Sequence, residues 1–206
     1  MTNRILSTLK PLALSVFAVG LFTLAQGVAR ADTVVYSTAG TFSGSGTNTV
    51  TFGSAGNTLT LTFAGIPPST VNANPSTFAS FGTINTSTTG SGATIAPGTT
   101  LTINITQTSP TSGTGSLVGT LSGTITQDSS SGQILFTVTS ANINGVVYSV
   151  VNNPLALVPP STNNGNTTVQ GQITSTVPEP ATLILLGTGL SGVAAAARRR
   201  RKGAGS

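Results

Sequence analysis

Asp32, Asp128 and Glu179 are the only carboxylate side chains in a chain that has neither histidine nor cysteine. Two carboxylates flanking a bond could run glycoside hydrolysis, but these three are not placed to converge. Asp32 follows a candidate cleavage site, Asp128 sits in a predicted turn and Glu179 lies between two prolines near the C-terminus. From Asp32 to Val177 there is no lysine or arginine either. General-base imidazoles, thiolate or amine nucleophiles and cationic oxyanion clamps are therefore missing from the central region. The expectation is a protein that is not an enzyme and needs no cofactor or metal. Asp128 reads as a turn former, with a weak calcium contact as the functional alternative, although calcium wants more carboxylates than this. Tyr36, Tyr148 and the phenylalanines could make a sugar-stacking platform, but the chain lacks tryptophan and core packing is the expected role for these rings.

The formal charge of +5 and the isoelectric point near 10.9 describe the ends of the chain. Arg4, Lys10 and Arg30 lie in the first stretch, and Arg198, Arg199, Arg200, Arg201 and Lys202 in the last. A nucleic-acid partner would need a basic face on the folded domain, and the middle has no base with which to build one. Without cysteine there are no disulfides or thiolate metal sites, so the domain must stand on its core alone.

Residues 1–31 have the parts of a secretory signal peptide: Arg4 and Lys10, an apolar run from Leu12 to Ala25, and the small-residue cleavage site Ala29-Arg30-Ala31. The apolar run, about 14 residues, is short of the roughly 20 that a retained membrane anchor needs. Sec translocon and signal peptidase are the implied partners. At the other end a linker over 175–180 holds Pro178-Glu179-Pro180, an apolar segment spans 181–197, and a basic tail covers 198–206. Pro178 and Pro180 fix φ and lack an N–H, so they keep an extended link that a processing enzyme could grip. The apolar segment would reach roughly 26 Å as a helix, close to the minimum for a transmembrane helix. The cations after it favour the cytoplasmic side.

This three-part tail resembles the PEP-CTERM sorting signal of Gram-negative bacteria, whose carriers are processed by an integral-membrane protease, exosortase. The resemblance implies Pro178, Glu179 and Pro180 as the recognition motif. It implies a membrane helix from Leu183 to Val193, including Ile184, Leu185, Leu186 and Leu190, and Arg198 to Lys202 as the basic stop. It also implies transient residence in the inner membrane, then the cell surface, outer envelope or exterior, within extracellular polysaccharide. The alternative is an ordinary tail anchor that keeps its Arg-rich end.

Between the ends, over 32–174, the period is two. Leu59, Leu61 and Phe63 alternate with threonines, as do Leu101, Ile103 and Ile105, and Leu117, Leu121 and Ile125 follow the same parity. Threonine suits the solvent face because its β-branch favours extended backbone and its hydroxyl keeps the surface wet. Asn144-Gly145 is a two-residue hairpin signal between 134–143 and 146–151. With a turn at 128–132 it predicts a meander of three consecutive strands. Further strands are expected near 33–38, 47–52, 58–64, 77–84 and 167–173, with loops over 66–75 and 152–166. The predicted fold is all-β, an antiparallel β-sandwich with a β-solenoid as the alternative. Its core is expected to hold Leu61, Phe63, Phe81, Ile103, Ile125, Phe136, Val138 and Tyr148. Three Asn-x-Ser/Thr triplets, at Asn85, Asn104 and Asn166, match the glycosylation acceptor pattern by the chance of an Asn/Thr-rich composition. The expected function is an exported structural or adhesive envelope protein, with a carbohydrate-binding module as the alternative.

Overall fold

Strict alternation decides which side chains enter the core. In Asn57–Ala64, Leu59, Leu61 and Phe63 are buried while Thr58, Thr60 and Thr62 take the other face. In Thr100–Ser109, Leu101, Ile103 and Ile105 are buried in the same way. The computed structural model describes residues 33–54, 56–175, 187–189 and 192.

In chain order the strands are β1 (Thr33–Phe42), β2 (Thr49–Ser54), β3 (Asn57–Ala64), β4 (Ser69–Asn72), β5 (Ser76–Thr89), β6 (Ala93–Thr94) and β7 (Thr100–Ser109). They continue with β8 (Gly113–Ser122), β9 (Thr124–Ile125), β10 (Gln133–Val138), β11 (Ser140–Ile143), β12 (Val146–Val150), β13 (Leu155–Ala156) and β14 (Asn166–Ser175). One six-stranded sheet has the order β13-β10-β8-β7-β1-β4, a second has β11-β12-β14-β5-β3-β2, and β6 and β9 form a small pair. Every ladder is antiparallel. The pairing of β14 with β5, far apart in sequence, is not the neighbour-on-neighbour stacking of the solenoid alternative.

Buried side chains of both sheets form one cluster. At its centre the Tyr36 ring from β1 lies 6.2 Å from Phe81 at 82° and 5.9 Å from Tyr148, both on the second sheet. The edge-on contact of Tyr36 with Phe81 favours the ring quadrupoles. Gly171 on β14 is required beneath this group, because a Cβ there would stand 2.0 Å from the Phe81 ring.

The Asn144-Gly145 hairpin forms as expected. Asn144 and Gly145 both have positive φ, at 49° and 88°, and β11 pairs with β12 around them. The Asn142 side chain accepts from the Gly145 N–H at 3.0 Å and closes the turn.

The simple meander does not form. β10 pairs with β8 in the first sheet, but the chain breaks at Thr139 and β11 enters the second sheet. The break follows a bulge between Phe136 and Val138, which is the usual way a strand is turned out of its ladder. Asn153 holds the bulge: its Oδ1 accepts from the Phe136 N–H at 2.8 Å and its Nδ2 donates to the Phe136 carbonyl at 3.0 Å. The bulge puts Val138, expected in the core, on the surface at 42 % exposure. The other expected core residues, Leu61, Phe63, Phe81, Ile103, Ile125, Phe136 and Tyr148, are buried.

Two predicted loops hold short strands, β4 within 66–75 and β13 within 152–166. Strand β5 runs five residues beyond the predicted end at Ile84, to Thr89, because Thr86 fills an inward position that an aliphatic residue would otherwise mark. Its hydroxyl donates to the Val158 carbonyl at 2.7 Å, and the Thr167 hydroxyl accepts from the Val158 N–H at 3.1 Å. These two threonines pin the 157–165 loop to the second sheet. Among the described residues no buried side-chain nitrogen or oxygen lacks a hydrogen-bond partner, as a charge-poor core requires.

Candidate functional site

Asp128 is exposed in a turn where the Thr126 N–H donates to the Ser129 carbonyl at 2.9 Å and the Thr126 hydroxyl accepts from the Ser129 N–H at 3.1 Å. The side chain that closes this turn is therefore that of Thr126. Asp32 and Glu179 lie outside the described residues, and among the described residues no three histidine, cysteine, aspartate or glutamate side chains gather as metal ligands would.

The other titratable groups of the folded region are Tyr36 and Tyr148, and both are internal, at 3 % and 0 % exposure. The Tyr36 hydroxyl donates to the Ser80 carbonyl at 2.7 Å. Tyr148 donates to Oε1 of Gln107 at 2.7 Å, and Gln107, itself fully buried, donates to the Thr111 carbonyl at 2.7 Å. Burial pushes both phenols above their ordinary range, and the neighbouring Tyr36 pushes Tyr148 further. These rings are core elements, so they do not form the sugar platform considered from the sequence.

Among the described residues one aromatic ring faces solvent. Phe78 on β5 is 73 % exposed and borders an open basin of about 570 Å³ lined by Phe78, Ala79, Ser80, Val151, Thr168 and Gln170. Ser80 pairs with Gln170, Phe78 with Gln172 and Thr83 with Thr168 across the β5–β14 ladder. Val151 reaches the same place because its N–H donates to the Gln170 carbonyl at 3.1 Å. The basin therefore lies on the outer face of the second sheet. Its position could have been read from parity: Phe78 and Phe81 are three apart, so alternation puts them on opposite faces.

Beyond the basin the same face carries paired hydroxyls. Oγ1 atoms of Thr49 and Thr62 lie 3.3 Å apart, those of Thr51 and Thr60 3.1 Å, and those of Thr58 and Thr89 2.7 Å. Asn85 donates to the Asn166 side chain and to the Asn164 carbonyl, each at 3.0 Å. Two of the three glycosylation-like triplets thus have asparagines that bond to each other across strands, while Asn104 is exposed on β7.

The signal peptide with Ala29 and Ala31, the motif Pro178-Glu179-Pro180 and the basic stop Arg198 to Lys202 lie outside the described residues. So does the predicted membrane helix, including Leu183, Ile184, Leu185, Leu186, Leu190 and Val193; of that segment Gly187, Thr188, Gly189 and Gly192 are described, and they are helical. Among the described residues no helix is long and apolar enough to cross a membrane. Residues 176–201 match the PEP-CTERM protein-sorting motif. No curated protein and no solved structure matches the chain significantly. The matched segment begins directly after β14, whose last residue is Ser175.

Proposed function

We infer that the chain is an exported cell-envelope protein whose domain is a non-catalytic structural or adhesive unit, an antiparallel β-sandwich delivered by its C-terminal tail. The observation that carries this reading is the sorting motif over 176–201, which implies an exported, envelope-directed protein and an exosortase as its processing partner. Sec translocon and signal peptidase complete the route, with inner-membrane anchoring as a stage before the surface. Support for a passive domain comes from its chemistry: Asp128 is the one charged side chain from Thr33 to Ser175, and catalysis generally needs several titratable groups tuned together.

The intact mass of the protein from fractionated cells tests the route, with a Pro178→Ala, Pro180→Ala variant beside it. The expected product starts at Asp32 and ends between Pro178 and Ala181, and the variant keeps its tail. A retained Arg-rich tail in both proteins would make this a plain membrane anchor. A second reading, a carbohydrate-binding module displayed at the surface, is favoured by the exposed Phe78 ring at the edge of an open basin that mixes apolar side chains with hydroxyls and an amide.

A further inference from the structure

We propose that the basin on the outer face of the second sheet binds a neutral polysaccharide, with Phe78 stacking on the apolar face of one sugar ring. This inference rests on the carbohydrate-binding reading of the domain and is independent of how the protein is sorted.

The chemistry of the lining selects the ligand. Phe78 and Val151 are exposed to 73 % and 44 % and supply a small apolar floor. Around it stand the amide of Gln170 and the hydroxyls of Thr168 and Ser80. The Ser80 hydroxyl is engaged locally, accepting from the Gly82 N–H at 3.2 Å. Gln170 and Thr168 point outward on alternate positions of β14, with their side-chain donors and acceptors directed to solvent. A pyranose presents the complement: a face of C–H groups for a phenyl ring, rimmed by hydroxyls that both donate and accept.

Other occupants fit less well. An extended peptide held by main-chain hydrogen bonds needs a run of open sheet edge; β5 lies between β14 and β3, and β12 with the Val151 N–H covers the other side of β14 from Ser175 back to Gln170, which leaves only the short stretch 166–169. An acidic glycan or a phosphate group calls for arginine or lysine, and from Thr33 to Ser175 there is neither. A lipid or apolar helix needs a larger continuous apolar surface, whereas serine, threonine and glutamine interrupt this one. A neutral, hydroxyl-rich polymer is what remains. The paired threonines of β2, β3 and β5 on the same face continue a hydroxyl surface along which further sugar units could lie.

The chain has no tryptophan, so Phe78→Trp introduces a single emission reporter at the basin while keeping an aromatic face. The full chain, solubilised in a detergent without a sugar headgroup, is titrated with laminarin, dextran and galactomannan, and with alginate as an anionic control. The expected result is a saturable blue shift with at least one neutral glycan and none with alginate. Phe78→Ala, followed by calorimetry against that glycan, is expected to weaken affinity by about ten-fold or more with an unchanged thermal midpoint. Saturable binding to which wild type and Phe78→Ala contribute equally would overturn the basin and leave the carbohydrate-binding reading standing. No saturable binding of any neutral glycan, or binding of alginate alone, would overturn both. Neither result touches the sorting route, which the intact mass reports separately.

Discussion

Raising the pH should leave this domain untouched until the tyrosines of the unfolded chain titrate, and then destabilise it. From Thr33 to Ser175 the titratable side chains are Asp128, Tyr36 and Tyr148. Both tyrosine hydroxyls are internal hydrogen-bond donors, and burial raises both above the unfolded value of 10.0. A phenol raised in the folded state stays protonated there while the unfolded chain loses its proton, so the unfolded state binds fewer protons above pH 10. Stability is then fully present below about pH 10 and falls as pH rises towards the folded-state values, by about 1.4 kcal/mol per unit for each tyrosine. Two tyrosines give about 2.7 kcal/mol per unit just above pH 10, and Tyr148, raised by burial and by its neighbour as well, carries the loss furthest towards pH 12. Urea unfolding followed by circular dichroism from pH 6 to 12, with phenolate absorbance read in parallel, is the assay. The expected result is a flat profile to pH 9, a fall above 10, and phenolate formation that coincides with unfolding. In Tyr148→Phe the alkaline slope should halve to about 1.4 kcal/mol per unit. Its neutral-pH stability should drop by about 1–3 kcal/mol, because Oε1 of buried Gln107 loses its donor. Phenolate appearing near pH 10 on an intact fold, or a slope unchanged in the variant, would refute the reasoning.

Gly171→Ala drives a Cβ to 2.0 Å from the Phe81 ring; overpacking of about 1–3 kcal/mol is expected, seen as a thermal midpoint lower by about 2–4 °C for each kcal/mol. Thr86→Val keeps the inward shape but deletes the donor to the Val158 carbonyl. It should cost about 1–3 kcal/mol and expose the 157–165 loop to limited proteolysis, with cleavage sites mapped by mass spectrometry.

What was legible from sequence was what is local. Leu59, Leu61 and Phe63 reveal their face because each neighbour is a threonine, and Asn144-Gly145 reveals its turn because both residues tolerate positive φ. The sheet change at Thr139 was hidden, since its cause is the side chain of Asn153, 17 positions beyond Phe136, and no periodicity reports a partner that distant. The end of β5 was hidden because threonine, the marker of the outer face elsewhere, points inward at Thr86 and Thr167 once a loop offers it a carbonyl or an N–H. For the site, the sequence showed which chemistry was missing. It did not single out Phe78, because the other aromatic rings between Thr33 and Ser175 all serve the core and composition does not separate one ring from the rest. The sorting motif over 176–201 was legible because residue order alone carries it.

The boundary between fold and address explains how one chain carries both. Ser175 ends β14 while still paired with Val146 of β12: it is 7 % exposed and its N–H donates to the Pro75 carbonyl at 3.2 Å. The sorting motif starts at the next residue. A cut between Pro178 and Ala181 therefore removes no residue of the last strand, and the β14–β5 ladder from Asn166 to Thr174 survives it whole. The charges divide in the same way. The basic cluster Arg198 to Lys202 lies at the end of the stretch that matches the sorting motif, while from Thr33 to Ser175 there is no lysine or arginine. Paired threonines and cross-strand asparagines hydrate the surface instead, in a domain whose one charged side chain is Asp128.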